Sequence, residues 1–179
     1  AIGHARGMDT SPGATVILVD PAHPPSRKAP LVWAIRAGIP FSVLVLAQLV
    51  WIAWDTQMMW LHGLVAALTG LGIVAFVVIA PLWRYRVHRW EISLTAGPPA
   101  VYTRSGWITQ ERRIAPISRV QTVDTYRGPL DRLFGLANVT VTTASSAGAV
   151  RIVALDNAVA DQVVAQLTDL AAIGAEDAT

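Results

Sequence analysis

Two apolar runs decide the fold of this chain: AGIPFSVLVLAQLVWIAW at residues 37–54 and MMWLHGLVAALTGLGIVAFVVIAPLW at residues 58–83. Neither run contains Asp, Glu, Lys or Arg. An α-helix rises ~1.5 Å per residue, so about 20 helical residues cross the ~30 Å hydrocarbon core of a bilayer. The sequence therefore predicts a membrane protein with two transmembrane helices.

The two runs are separated only by residues 55–57, which predicts an antiparallel hairpin with both outer ends on one side of the membrane. The connecting segment carries one charge, Asp55, whereas basic residues flank the outer ends, namely Arg27, Lys28, Arg36, Arg84, Arg86 and Arg89. Basic loops stay in the cytoplasm. We therefore expect a multi-pass protein of the cell (inner) membrane with both termini cytoplasmic.

Tryptophans lie near both ends of the predicted hairpin, where amphipathic rings prefer the headgroup level. Those near the cytoplasmic end are Trp33, Trp83 and Trp90, and those near the outer turn are Trp51, Trp54 and Trp60. Their positions predict an interfacial belt at each boundary.

Polar and small residues inside the runs suggest how the helices pack. Pro40 is expected in the first turn of the first helix, where its missing N–H does no harm. Gln48 is expected to form an interhelical hydrogen bond. Gly63, Ala67 and Gly70 form a stripe of small residues that permits close approach of another helix. This stripe fits either the seam of the hairpin or a seam with another subunit.

Composition restricts what the rest of the chain can do. The chain has no cysteine, which excludes disulfides and thiolate metal sites. Its formal net charge is only +2, which does not indicate a nucleic-acid-binding surface. Residues 1–30 form a proline-rich arm, of which residues 1–7 are a candidate vector remnant. Within the arm, the apolar residues 14–19 (ATVILV) fit either a mobile segment or a strand added to a sheet edge.

After the hairpin, assigned to residues 31–85, the hydrophobic pattern becomes short and alternating. It predicts six antiparallel strands at residues 86–94, 100–104, 107–114, 120–126, 138–143 and 150–155. A helix over residues 158–172 follows, with one apolar face formed by Val159, Val163, Leu167 and Leu170. The sequence thus predicts an α+β protein with one domain at residues 86–173 and a tail at residues 174–179.

The segment IAPISRVQTVDTYRGPLDRLFGLANVTVTTASSAG, residues 114–148, resembles the signature of the membrane-flanked bacterial pleckstrin-homology-like domains of the YdbS type. The matching residues are Pro116, Arg119, Gln121, Gly128, Pro129, Leu130, Arg132, Phe134 and Gly135. The resemblance implies an antiparallel β-barrel or sandwich closed by a C-terminal helix, and a hairpin before the domain is typical of the family.

The central part of this motif is expected to plug the domain. Gly128 and Pro129 begin a single helical turn and Gly135 ends it in a conformation that glycine tolerates best. Leu130, Leu133 and Phe134 are expected to face the core together, and Asp131 and Arg132 are expected to face away.

Arginines are the candidate contacts for an anionic headgroup or a partner, at about 1 kcal/mol per basic residue near a membrane surface. The candidates are Arg84, Arg86, Arg89, Arg112, Arg113 and Arg127. The alternative is that most of these arginines are solvated or form ion pairs with Glu111, Asp124 and Asp131. The turn TAGPP at residues 95–99 carries no basic residue, which argues against a phosphoinositide pocket like that of eukaryotic relatives.

Nothing in the sequence indicates catalysis. The four histidines, His4, His23, His62 and His88, are scattered without metal-ligand spacing, and no nucleophile or phosphate-loop motif is present. We predict no catalytic, cofactor or metal site. The favoured function is a membrane-anchored scaffold that recruits a protein partner or another copy of itself. The alternative is an anionic-lipid sensor, or an accessory subunit of a transport complex, that uses a basic surface.

Overall fold

The computed structural model describes residues 20–94, 98–106, 109–144 and 148–176, with side chains as far as residue 173. Three features discussed above lie outside the described residues. They are the apolar residues 14–19, most of the turn at residues 95–99 that carries no basic residue, and the predicted strand start at Trp107.

Both predicted membrane runs are helical. The first helix, α1, spans Ala29–Trp54, and the second comprises α2 (Met59–Ile73), a π-helical segment (Val74–Ile79) and α3 (Ala80–Val87). Only 6% of the most apolar window of each helix is buried, so their apolar faces remain uncovered, unlike those of core helices in a soluble domain. Because α1 begins at Ala29, the prediction for Pro40 is wrong: it lies inside the helix, not in the first turn.

The π-helical segment precedes Pro81, which lies in the first turn of α3. A proline inside a helix removes one backbone donor and its ring collides with the carbonyl four residues earlier. Here the Ala80 N–H bonds to the Ala75 carbonyl, the five-residue spacing of a π-helix. Local π geometry of this kind allows a membrane helix to continue past a proline. The first predicted strand starts later than expected, at Arg89 instead of residue 86, because the helix persists to Val87.

The helices of the hairpin contact each other along a seam different from the predicted one. Gln48 Nε2 donates to the His62 carbonyl at 3.2 Å, which confirms the expected interhelical hydrogen bond. Among the glycines of the described hairpin, Gly72 is the most tightly packed, because an added Cβ would lie 2.8 Å from Phe41 Cε1. An added Cβ at Gly63 or Gly70 would meet nothing within 4 Å, so of the two alternatives for these glycines the hairpin seam is wrong.

We expect Gly72→Val to lower the thermal midpoint of the full chain in detergent, because the added methyl groups must displace the Phe41 ring. Overpacking of this kind costs about 1–3 kcal/mol. Gly70→Val is the matched control, since its side chain has open space, and it should melt within about 0.5 kcal/mol of the wild type. Equal destabilisation by both variants would contradict a seam at Gly72.

The remaining chain forms two three-stranded antiparallel sheets and a closing helix. One sheet has the order β1-β2-β3, with β1 Arg89–Ser93, β2 Ala100–Gly106 and β3 Gln110–Pro116. A 3-10 turn at Ile117–Arg119 leads to the second sheet, β4-β5-β6, with β4 Val120–Tyr126, β5 Leu136–Thr143 and β6 Val150–Asp156. Helix α4 (Pro129–Phe134) connects β4 to β5, and α5 (Asn157–Glu176) ends the domain. The predicted α+β sandwich with a C-terminal helix is confirmed.

Two apolar clusters stabilise this arrangement. The larger lies between the sheets and α5, where Val163 and Leu167 are buried as predicted. The smaller, which we call the joint core, brings the start of α1 into the domain: Ala29, Val32 and Trp33 pack with Leu136 and Ala154. Burying apolar side chains from both parts couples the hairpin to the domain. Trp33 therefore lies within the protein, not in an interfacial belt.

Trp90 also departs from the predicted belt. It belongs to β1 and packs partly buried against the larger cluster, with its ring centroid 5.1 Å from that of His23. His23 in turn forms a backbone bridge to Trp90 at N–O distances of 3.0 and 2.9 Å, which covers the outer edge of β1. The last residues of the N-terminal arm are thus docked on the domain, since Ser26 N–H also donates to the Ala154 carbonyl at 2.8 Å.

Helix α4 has the predicted bounds but a different rotation. Gly135 has φ +69°, which confirms the left-handed end expected there. Leu130 and Phe134 pack against the joint core, whereas Leu133 is 76% exposed and Asp131 only 4%, so the predicted orientation of these two residues was wrong. The physical reason is the Asp131 carboxylate, which accepts hydrogen bonds from Gly128 N–H at 3.1 Å and Asn138 Nδ2 at 3.0 Å and therefore tolerates burial.

Candidate functional site

At the junction between the hairpin and the domain, Arg84 and His88 lie against the ring of Trp33. The Arg84 guanidinium lies over the Trp33 ring, 4.3 Å from its centroid, at cation–π distance. His88, four residues later and therefore on the same side of the chain as Arg84, lies 5.4 Å from the same ring. His88 Nδ1 donates to the Arg84 carbonyl at 3.0 Å, which selects the tautomer of the neutral ring.

An apolar cavity of about 440 Å³ opens on one side of the Trp33–Arg84 pair. Ala37 of α1, Phe76 of the π-helical segment and Ala80 of α3 contribute to its wall. Ala37 lies one helical turn beyond Trp33, and Phe76 lies two turns before Arg84, in the direction away from the domain. The cavity therefore follows the membrane hairpin.

A second cavity, of about 480 Å³, is also lined by Trp33 and Arg84 and extends to the sheet β4-β5-β6. We call it the basic cavity, because three arginines from three elements line it: Arg36 of α1, Arg84 of α3 and Arg151 of β6. One carboxylate, that of Asp131, is also present, together with Tyr126, Asn138 and Thr140. The three cations and one anion leave an excess of positive charge.

Asp131, the carboxylate in this cavity, already has ion-pair and hydrogen-bond partners. Asp131 Oδ1 lies 3.5 Å from Arg36, a long ion pair with a largely exposed guanidinium, while Oδ2 accepts the two hydrogen bonds described above. Asn138 is engaged as well, because its Oδ1 accepts from the Ala154 N–H at 2.9 Å. Among the described residues, no carboxylate lies within 4 Å of Arg84 or Arg151.

Most of the arginines predicted as headgroup or partner contacts lie outside the basic cavity. Of that set, only Arg84 lines the basic cavity, and Arg86 is exposed on α3 away from it. Arg89 donates to the Tyr85 and His88 carbonyls at 2.9 and 2.8 Å. The others are in ion pairs: Arg112 with Asp20, Arg113 with Glu111, and Arg127 with Asp161.

Arg36 and Arg151 are the residues that sequence reasoning missed. Arg36 was read only as a flanking charge of the hairpin, and Arg151 is separated from it by most of the chain. The cross-strand pair Thr140 and Arg151 brings that arginine to the site. No local pattern signals this, since it depends on the register of β5 and β6.

The residues that match the family motif have structural positions. Pro116 ends β3, and the Arg119 carbonyl accepts from the Ala144 N–H at 3.1 Å, which holds the corner between the sheets. The Arg119, Gln121 and Arg132 side chains are exposed. Among the described residues, no three His, Asp or Glu side chains are placed to hold a metal ion.

His88 makes stability at the junction depend on pH. Burial, followed by the positive charge of Arg84, lowers the pKa of His88 from 6.5 to about 4, so the ring is neutral at pH 7. Between these two values the unfolded chain binds the proton and the folded chain does not, so stability rises with pH in this window. The contribution is fully present above pH ~6.5 and is lost as the pH falls toward ~4.

We therefore expect the thermal midpoint of the full chain to fall between pH 6.5 and pH 4 by more than that of His88→Gln. Carboxylates titrate equally in both proteins, so the difference between the two curves isolates the imidazole. Parallel curves would show that protonation of His88 does not destabilise the junction.

Comparison with known proteins agrees with this architecture. The family described as Bacterial PH domain matches residues 31–171, which include both apolar helices from Leu31 onward and both sheets of the sandwich. The chain is similar to the transmembrane protein YdbS of Bacillus subtilis (strain 168), with 34% identity over 123 residues that cover 66% of this chain and 70% of the relative. No solved structure matches. With two uncovered apolar helices and a sandwich closed by a helix, the chain belongs to the Bacterial PH domain family and is a membrane protein.

Proposed function

We propose that this protein is a non-enzymatic interaction module that presents its PH domain in a fixed orientation at the cytoplasmic face of the cell membrane. The observation that carries the proposal is the joint core, in which Val32 and Trp33 of α1 pack with Leu136 and Ala154 of the sheet. A domain tethered by a flexible linker would sample many orientations. A shared core restricts the domain to one orientation relative to the hairpin, which is what recruitment at a membrane surface requires.

The proposed topology places the hairpin turn outside and the domain inside, as the distribution of basic residues favours. The chain has no cysteine, so single cysteines can report it without background. Thr56→Cys lies in the turn and Thr168→Cys on exposed α5. The layers outside the cell membrane are first removed while that membrane is left intact. A membrane-impermeant maleimide should then label only Thr56→Cys, and permeabilising the membrane should allow it to label Thr168→Cys. Labelling of both, or of Thr168→Cys alone, would overturn the orientation.

The recruitment surface that the geometry favours is the outer edge of β4. The structure pairs β4 with β5 on one side, and no described strand pairs with its other side. Edge strands are usually protected by charges, proline or a covering segment. The edge of β1 has such a cover in His23, whereas β4 carries one charged residue, Asp124, and ends with the exposed Tyr126. A strand from a partner protein could extend the sheet here by β-augmentation.

A photo-crosslinking amino acid at Thr125, in β4, tests this surface in the full membrane-inserted chain. We expect a defined adduct whose partner segment is extended, and we expect Thr122→Lys, which adds an edge charge, to abolish it. The same crosslinker at Thr168 of α5 is the control and should give no adduct. Equal yields at the two positions, or an adduct insensitive to Thr122→Lys, would contradict recruitment through β4.

A further inference from the structure

The basic cavity has an excess of positive charge that favours binding of an anion. Arg36, Arg84 and Arg151 line one volume of about 480 Å³, and Asp131 balances only one of them. The three side chains are solvent-exposed, and like charges that line one cavity attract an anion that can pair with them. Asp131 cannot serve all three, because its second oxygen already accepts from Gly128 and Asn138.

Arg84 is the group whose position is most constrained. Its guanidinium is held over the Trp33 ring, which is itself buried in the joint core. Stacking orients the plane of a guanidinium and leaves its N–H groups available at the edge, where planar forks match phosphate oxygens. Arg151 contributes to the lining of the same cavity from β6, with an exposed side chain. The contact with Trp33 therefore positions the donors of Arg84, and Arg151 supplies a second guanidinium.

We propose that the basic cavity binds a phosphate group, with Arg84 and Arg151 as the principal donors. A phosphate ester in solution and the headgroup of an anionic phospholipid share this chemistry. The adjoining apolar cavity favours the phospholipid, because Trp33 and Arg84 line both volumes and the apolar one extends along the hairpin as far as Ala37 and Phe76. The two cavities thus match the two parts of a phospholipid: the basic cavity would bind the phosphate, and the apolar cavity along the hairpin would bind an acyl chain.

This site adjoins the proposed recruitment edge at Tyr126, which ends β4 and lines the basic cavity, but Thr122 and Thr125, the residues tested on β4, do not line it. It also differs from the surface expected from the sequence: of the six candidate arginines only Arg84 takes part, and the other two cations come from α1 and β6. Loss of phosphate binding would leave the topology and crosslinking results unchanged, so the two proposals fail separately.

The test uses the full chain in a neutral maltoside detergent, with the thermal midpoint followed during titration with phosphatidylglycerol, phosphatidylcholine or inorganic phosphate. The variants are Arg84→Gln and Arg151→Gln. Arg86→Gln is the matched control, because it removes the same charge from α3 without touching the cavity. Arg151→Gln is retained because it disturbs no stacking contact, so a folding defect of Arg84→Gln would not obscure the result.

We expect phosphatidylglycerol to raise the midpoint of the wild type and of Arg86→Gln, with about a tenfold weaker apparent affinity in each of the two cavity variants. Phosphatidylcholine, whose choline offsets the phosphate charge, should stabilise less. Stabilisation by inorganic phosphate with the same dependence on the variants would identify free phosphate as the source. An equal loss in Arg86→Gln, equal effects of the two lipids, or no stabilisation by phosphatidylglycerol or phosphate would overturn the proposal.

Discussion

Leu136→Ala should lower the free energy of unfolding of the full chain by about 2–5 kcal/mol, the usual cost of truncating a buried leucine. Leu136 is fully buried and packs with Val32 and Ala154 in the joint core. The cavity left behind would lie where the hairpin meets the domain, so the loss should appear both in thermal melting and as increased protease sensitivity at the start of α1.

Leu133→Ala provides the control for this prediction, because it removes the same atoms from the same short segment of chain. Leu133 is 76% exposed, so its truncation should change stability by less than about 0.5 kcal/mol. The sequence alone predicted Leu133 as a core residue. A large effect at Leu133 together with a small effect at Leu136 would mean that α4 is rotated relative to the structure described above.

Asp131→Ala should be comparably destabilising, by about 3 kcal/mol, because it leaves buried donors without an acceptor. Its carboxylate, 5% exposed, accepts from Gly128 N–H and Asn138 Nδ2 and faces Arg36. Asn138 connects this carboxylate to Ala154 of β6, so the loss should spread from α4 into the sheet. Chemical unfolding of the full chain in detergent, compared with the wild type, measures it.

Two further variants sharpen the result. Asp169→Ala removes an exposed carboxylate from α5 and should be nearly neutral. Asp131→Asn keeps the shape but removes the negative charge from the basic cavity, so it should weaken folding while strengthening phosphate binding. Stability and affinity that fall together in Asp131→Asn would indicate that this residue supports the cavity only through folding.

The features that could be predicted from the sequence are those set by local or summed properties of the chain. Hydrophobicity adds along a helix, so the two membrane runs were evident without any knowledge of packing. Alternation along a strand has a period of two, and this gave the positions of the strands and of α5 to within a few residues. Gly135 was predicted from its place at the end of a short helix, because few other residues adopt φ near +69° easily.

The rotation of α4 could not be predicted in the same way. A helix of one and a half turns shows too little periodicity to define a buried face, and an apolar leucine is normally a better guess for burial than a carboxylate. The opposite holds here because Gly128 and Asn138 supply donors that only the folded chain brings within 3.1 and 3.0 Å of Asp131. The extent of α1 was missed for a related reason: its first two turns are stabilised by the joint core rather than by lipid.

The candidate site itself depends on tertiary structure. Sequence determined that this protein has a membrane hairpin, an α+β domain after it and an excess of basic residues around the junction, because length, hydropathy and charge are local quantities. Which arginines share a cavity was decided by strand register and by the docking of α1, which place Arg36, Arg84 and Arg151 together and commit Arg112, Arg113 and Arg127 to ion pairs. Coulomb energy depends on distances between groups far apart in the chain, and those distances exist only once the hairpin and the domain share a core.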